Sequence, residues 1–250
     1  LLEKTRFFGA ERLGMTELAI ALLWADNTLV GMAVQRSAGE DEMIRVSFRV
    51  VNMGVLPTNK FWGETERVHP VSASCTLLES GGKRLLVDPS PRPPELAQLL
   101  YDHAGLRPES IDQIFLTHWH GDHLFGIELF PNAECLMSAA GIAEWRQQPP
   151  QVQTCVACFQ PAEGRLPDGI QLFPSPGHTL AHCSLLAETP WGSLIVAGDA
   201  VMTPEYFAAE EGYRNAVDFA LSTKTIRAIK ATAALVIPGH SNLVPNSRPV

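Results

Sequence analysis

The chain has 250 residues, 46% of them hydrophobic and 18% charged, a balance that supports a sizeable core and excludes a disordered or fibrous chain. Its formal net charge is -8 and its sequence pI about 5.5, an acidic surface that repels phosphate backbones and disfavours nucleic acid as a partner. Five cysteines are too few, and odd in number, for a disulfide framework, which points to a reducing compartment, the cytoplasm.

Residues 1–42 read differently from the rest and are expected to form an N-terminal extension with no catalytic role. The apolar stretch 18–25 is too short to cross a bilayer, and Asp26-Asn27 follow at once, so no membrane segment is expected. With residues 28–34 it reads either as a hairpin or as a short helix with a strand. Residues 37–42 are small and acidic, as in a linker. From Met43, the alternation of Ile44, Val46, Phe48 and Val50 with Arg45, Ser47 and Arg49 predicts a strand.

Residues 71–79 and 84–87 are predicted strands joined by Ser80-Gly81-Gly82, which is hairpin chemistry. Leu96, Leu99 and Leu100 share a face of a helix predicted over 94–104, with Gly105 as its stop. Strands follow at 111–116 and 133–137, then a helix over 139–147. Residues 149–169 read as loop, 170–173, 183–187 and 193–197 as strands, 213–232 as the longest helix, and 234–237 as the last strand. Two strand-rich halves with helices between them predict an α/β chain of two sheets packed face to face, with helices outside.

Thr117-His118-Trp119-His120-Gly121-Asp122-His123 puts three imidazoles and a carboxylate within a few residues at a predicted strand end. His118 and His120 are two apart and can point to one side of a strand. Gly121 is expected to permit the turn that brings Asp122 and His123 back. Borderline metals such as zinc favour this donor set. Pro176-Gly177-His178, Gly198-Asp199-Ala200 and Pro238-Gly239-His240 each follow a predicted strand, so each places a further donor at a strand end beside a glycine.

In this order, the segments resemble the metallo-β-lactamase superfamily in its H-x-H-x-D-H form over residues 43–250, which would be the catalytic domain. The resemblance implies a four-layer αβ/βα sandwich, two mixed β-sheets face to face with helices outside and metals at the strand ends. It implies that His118, His120 and His178 hold a first divalent ion, that Asp122, His123 and His240 hold a second, and that Asp199 bridges both. Zinc is the first expectation, and iron or manganese accept the same N/O set. Asp88, ending a predicted strand, resembles the family's supporting aspartate, although Pro89-Ser90 replaces the usual Thr-Gly after it. Thr117, Thr179 and Asp88 are candidates for the outer partners that ligating imidazoles need.

Seven donors over two ions leave room for a bridging hydroxide and for substrate, with Asp122 to handle the proton. Several subfamilies share these ligands. Asp199 argues against true β-lactamases, which generally lack it. His120 argues against the di-iron oxygen reducers, which carry glutamate there. Glyoxalase II-type thioesterases carry a helical C-terminal domain, whereas this chain continues only ten residues past His240. Lactonases commonly place a tyrosine shortly after the bridging aspartate, where this chain has Met202. The expectation is hydrolysis of a small ester-like substrate, with phosphodiester hydrolysis, nuclease activity or a non-catalytic metal site as alternatives. Oligomeric state is left open.

Among other residues, Cys155-Val156-Ala157-Cys158 reads as two loop thiols. His182 is expected to pair with a carbonyl, and His69 and His103 to be surface residues. Phe61 and Trp62, in the loop 56–64, read as a substrate cover or as a packed pair. Tyr206, Phe207, Trp145 and Phe159 are candidates for lining the cleft.

Overall fold

The computed structural model describes residues 23–25, 28–30, 45–153 and 155–246. The chain divides into two compact units, Leu1–Asp41 and Glu42–Val250. In the first, β1 (Leu23–Ala25) pairs antiparallel with β2 (Thr28–Val30), so the hairpin reading applies there. The expected linker at 37–42 and the strand residues Met43 and Ile44 lie outside the described residues.

The second unit begins with β3 (Ser47–Asn52), β4 (Cys75–Ser80) and β5 (Lys83–Val87), the last two joined at Gly81-Gly82. Then come α1 (Pro93–Ala104), β6 (Gln113–Leu116), β7 (Glu134–Met137), α2 (Ala139–Trp145) and β8 (Gln160–Pro161). The second half holds β9 (Ile170–Pro174), β10 (Cys183–Thr189), β11 (Gly192–Gly198), α3 (Pro204–Ala209), α4 (Phe219–Thr232), β12 (Leu235–Pro238) and β13 (Val244–Pro245). One six-stranded sheet runs β3-β4-β5-β6-β7-β8 and one five-stranded sheet runs β13-β12-β11-β10-β9, both mixed.

Side-chain alternation sorts these strands into layers. Leu78, Leu85, Val87 and Phe115 of the larger sheet pack against Leu185, Leu194, Val196 and Ile237 of the smaller one. Their neighbours one step away point outward: Leu77, Leu86 and Ile114 meet Leu96 and Leu100 of α1. Likewise Ile195, Ala197 and Val236 meet Ile226 and Ile229 of α4. The result is helix, sheet, sheet, helix, the expected four-layer sandwich. Each fully buried leucine contributes about 1.5–3 kcal/mol, so the packing holds the strand ends in place.

Some boundaries differ from expectation. The long helix starts at Phe219 rather than at 213, because the Asp218 side chain accepts from Leu221 N at 2.9 Å and caps it there. Tyr213 is instead tied down by its hydroxyl, which donates to the Thr58 carbonyl. The six-residue α3 and the two-residue strands β8 and β13 carry too few residues for a periodic signal. Residues 71–74 precede β4 as irregular chain with a single bridge, Val55 to Ser72. Among the described residues, no helix is long and apolar enough to cross a membrane.

Candidate metal centre

Five strands deliver their C-terminal ends to one edge of the sandwich. β5 hands over to Asp88, β6 to Thr117 and His118, β9 to His178, β11 to Asp199, and β12 to His240. The edge is sewn together across the sheets: Cys183 N donates to the Thr117 carbonyl at 3.0 Å, and Ser74 N to the Gly239 carbonyl at 2.6 Å. β11 and β6 touch so closely that a Cβ on Gly198 would lie 2.5 Å from Thr117 Oγ1, and its φ of +50° also favours glycine.

After β6, the chain turns through a 3-10 helix at Gly121–His123, closed by His123 N donating to the His120 carbonyl at 3.1 Å. Gly121 does not make this turn in the way expected. Its φ is not in the left-handed region, and a Cβ there would meet only the Phe125 ring, at 4.0 Å. A 3-10 turn needs no glycine.

All seven expected donors are brought together. One ligand atom from each of His118, His120, His178 and Asp199 falls within 4.8 Å of the others, and so do those of Asp122, His123 and His240. In the first group His120 Nδ1 stands 2.9 Å from both His118 Nε2 and His178 Nε2. Asp199 Oδ2 stands 3.7 Å and 3.2 Å from the same two Nε2 atoms. Asp199 Oδ1 faces the second group, at 3.1 Å from His123 Nε2 and 3.2 Å from His240 Nε2. Asp122 Oδ2 is 3.6 Å from His240 Nε2. One carboxylate thus divides its two oxygens between two sets of donors.

These spacings fit cations. A tetrahedral site with bonds of about 2.0–2.1 Å has edges of about 3.3 Å, in the middle of the distances above. His123 Nε2 and Asp199 Oδ1 are buried and close, yet make no hydrogen bond with each other or with anything else. Polar atoms so buried normally carry a partner. A shared cation supplies one.

Outer contacts select the tautomers. Asp88 Oδ1 accepts from Thr117 N at 2.9 Å, while Oδ2 accepts from Thr117 Oγ1 at 2.8 Å and from His123 Nδ1 at 2.9 Å. With its hydroxyl proton given to Asp88, Thr117 accepts from His118 Nδ1 at 3.1 Å. His240 Nδ1 donates to the Ser72 carbonyl at 2.9 Å. Each imidazole so held turns Nε2 toward the cluster, the nitrogen that ligates once it carries no proton. Thr179, the other expected partner, is buried with its hydroxyl unpaired.

Charge follows burial and neighbours. Burial pushes His118 well below the ordinary histidine value, with His123 and His120 adding to it. Burial pushes His120 down as well, and His178 to about 4, against the pull of Asp199 in both cases. His123 goes the other way: burial opposes its charge, but Asp199 and Asp88 outweigh it and hold the ring well above. His240 is raised in the same manner, burial against Asp199. Burial disfavours the Asp199 anion too, yet His123, His240 and His178 hold its carboxyl well below the usual range. The first group therefore offers neutral imidazoles and an ionised carboxylate. The second holds protons that a cation would displace.

The remaining candidates sort as follows. His182 is buried beside His118 and meets the Ser175 hydroxyl at 2.7 Å, not a carbonyl. His69 is half-buried and pairs with Glu64 at 2.8 Å, and His103 is half-buried with its Nδ1 donating to the Val51 carbonyl at 2.7 Å, so neither is a bare surface residue. Phe207 packs under α4, and Trp145 with Phe159 forms a buried pair beside α2, so none of the three lines the cleft. Phe61 packs edge-on against Tyr206 at 4.9 Å, and Trp62 Nε1 donates to Glu205 at 3.0 Å, which docks the loop on α3. The exposed Cys158 ends a 3-10 turn, Val156–Cys158, that Cys155 precedes, and neither belongs to the two donor groups.

Two contributors carried no local signal. Glu144 of α2 accepts from Leu180 N at 2.9 Å and Ala181 N at 3.2 Å, holding the turn that bears His178. Tyr213 forms one wall of the cleft above the donors, about 300 Å³ in volume, together with Leu56, Pro57, Val71 and Met202. Both act across long sequence separations.

Comparison with known proteins agrees with this geometry. The family model of the metallo-beta-lactamase superfamily matches residues 69–240. An atrochrysone carboxyl ACP thioesterase of Emericella nidulans is 28% identical over 178 residues, covering 68% of this chain and 52% of that protein. An N-acyl homoserine lactonase of Bacillus sp. is 30% identical over 132 residues, 50% of this chain and 52% of that protein. The chain thus spans about half the length of these relatives. Among solved structures, the dizinc quorum-quenching lactonase AidC has the same fold at TM-score 0.62 and 15% identity, covering 84% of this chain and 100% of that one. With the family model spanning most of the sandwich and every candidate donor from His118 to His240, this chain belongs to the metallo-beta-lactamase superfamily.

Proposed function

We propose that this chain is a binuclear metal-dependent hydrolase of a small ester-like substrate, a carboxylic ester, lactone or thioester. The observation that carries the reading is the division of the Asp199 oxygens between two converging donor sets. His118, His120 and His178 would hold one ion and Asp122, His123 and His240 the other, with residues 43–250 as the catalytic domain. Zinc is the proposed metal. When bound, such ions lower the pKa of a bound water to about 7 and polarise the carbonyl oxygen. The relatives named thioesterase and lactonase both act at acyl groups, which supports an acyl substrate here. Placement in the cytoplasm is part of the proposal and rests on the cysteine argument.

The chain's own groups supply the rest. Leu56, Pro57, Val71 and Met202 give the cleft apolar walls that exclude water and suit a small organic substrate. Asp122 is only half-buried and lines that cleft, so its carboxylate can take a proton from the attacking water and return it to the leaving group. Asp88, Thr117 and the Ser72 carbonyl keep the imidazoles oriented through the reaction.

Metal analysis with a panel of esters, lactones, thioesters and phosphodiesters tests this. The expected result is two equivalents of metal per chain and turnover of acyl compounds. No bound metal, and no turnover after adding zinc, manganese or iron, would overturn the proposal. Turnover of phosphodiesters alone would replace the acyl substrate. Asp122→Asn is expected to lose turnover more than metal content, whereas equal loss of both makes Asp122 chiefly a ligand.

A further inference from the structure

Tyr213 walls the metal cleft on one side and a second cleft on the other, about 310 Å³ in volume and lined also by Thr58, Lys60, Tyr206, Arg214 and Phe219. The ring between the two is fixed. It is buried, its hydroxyl donates to the Thr58 carbonyl at 3.0 Å, and it packs edge-on against Tyr206 at 5.6 Å. The two clefts therefore share the Tyr213 wall.

The charges around the second cleft are mostly committed. Lys60 pairs with Glu211, and Glu64 with His69. Arg214 is exposed, and among the described residues no carboxylate pairs with it. Its guanidinium carbon stands 5.5 Å from the centre of the Tyr213 ring, so the shared wall also positions the charge. A guanidinium stays protonated and presents a planar fork that matches carboxylate and phosphate oxygens. On a chain of net charge -8, an anion is repelled from most of the surface and needs such a local cation.

Resting on the hydrolase reading above, we propose that the second cleft is a subsite for an oxyanion on the non-reacting end of the substrate. Arg214 recognises it, while the acyl carbon sits at the metal centre. The class of substrate is then an ester or thioester that carries a carboxylate or phosphate several bonds from the scissile carbonyl.

The test uses p-nitrophenyl esters of glutaric, adipic and suberic acids with a free ω-carboxylate. Each is paired with its neutral ω-amide, and an ω-phosphonate is made at the best length. Metal-loaded wild type is expected to favour the anionic member of the best pair by about tenfold in kcat/KM, and Arg214→Gln to bring that ratio near one. The carboxylate and phosphonate arms identify which oxyanion the subsite takes. Binding of the unreactive suberic acid monomethylamide is measured in parallel by calorimetry, against neutral suberamide. Ester turnover with no charge preference, or a preference that survives Arg214→Gln, overturns the subsite and leaves the hydrolase reading intact. Arg214-dependent binding without any ester turnover supports the subsite and overturns that reading. Neither binding nor turnover overturns both.

Discussion

Replacing Asp88 by Asn isolates the outer support of the metal centre. The residue is buried, and its φ of +52° is a left-handed conformation that Asn tolerates as readily as Asp, so shape and backbone are retained. Asn Oδ1 can still accept from Thr117 N. The amide nitrogen, however, replaces the oxygen that accepts from His123 Nδ1 at 2.9 Å and from Thr117 Oγ1 at 2.8 Å. Thr117 can rotate its hydroxyl. His123 can avoid a donor facing a donor only by moving its proton to Nε2, the atom that faces Asp199 and the cluster. A lost charge-assisted hydrogen bond of about 1.5–3 kcal/mol corresponds to roughly a tenfold to hundredfold loss of metal affinity, the range found for such outer partners. The loss should fall on the ion proposed for Asp122, His123 and His240. Competition with a chromophoric chelator reads both affinities, and thermal melting of the metal-free protein reports folding. A folded variant that binds both ions within threefold of wild type would refute the reasoning.

Three other outcomes follow from the same geometry. In Gly239→Ala the new Cβ collides with Asp199 Oδ1 and sits 2.8 Å from the Gly198 carbonyl carbon, so metal stoichiometry and folding stability should both fall, the latter by about 1–3 kcal/mol; wild-type values for both would contradict the placement of Asp199. Glu144→Gln leaves one acceptor for two amides, so affinity for the ion proposed for His118, His120 and His178 should drop several-fold, and an unchanged affinity would remove Glu144 from the site. Metal uptake near pH 7 should release protons, because Asp199 holds His123 well above the ordinary value of about 6.5 and His240 above it, so both retain protons more strongly than a free imidazole in the metal-free chain. Calorimetry in buffers of different ionisation enthalpy measures that release. It should shrink as pH rises through the raised values, and a release that grows with pH would contradict the assignment.

How much of this was legible in the sequence depends on range. Alternation and turn chemistry marked the strands β3 to β7 and β9 to β12 and the helices α1, α2 and α4, because side chains three or four residues apart on a helix, or two apart on a strand, meet the same layer. The candidate donors were legible because they lie at strand ends or in the turn just after β6, where a local pattern of glycine with histidine or aspartate is visible in a few residues. Short pieces such as α3, β8 and β13 were not, since they are held by partners and not by their own periodicity.

By itself, then, the amino-acid order determined the layered α/β pattern and pointed to the seven residues that the fold brings together as candidate donors, properties encoded within a window of a few residues. Only the tertiary structure decided which oxygen of Asp199 faces which group, that Asp88 grips both Thr117 and His123, and that Glu144 carries the His178 turn. It alone placed Tyr213 between two clefts and, among the described residues, left Arg214 outside the ion pairs. The physical reason is the same in every case: hydrogen bonds and clefts join residues far apart in the chain, and their geometry exists only once the two sheets have packed.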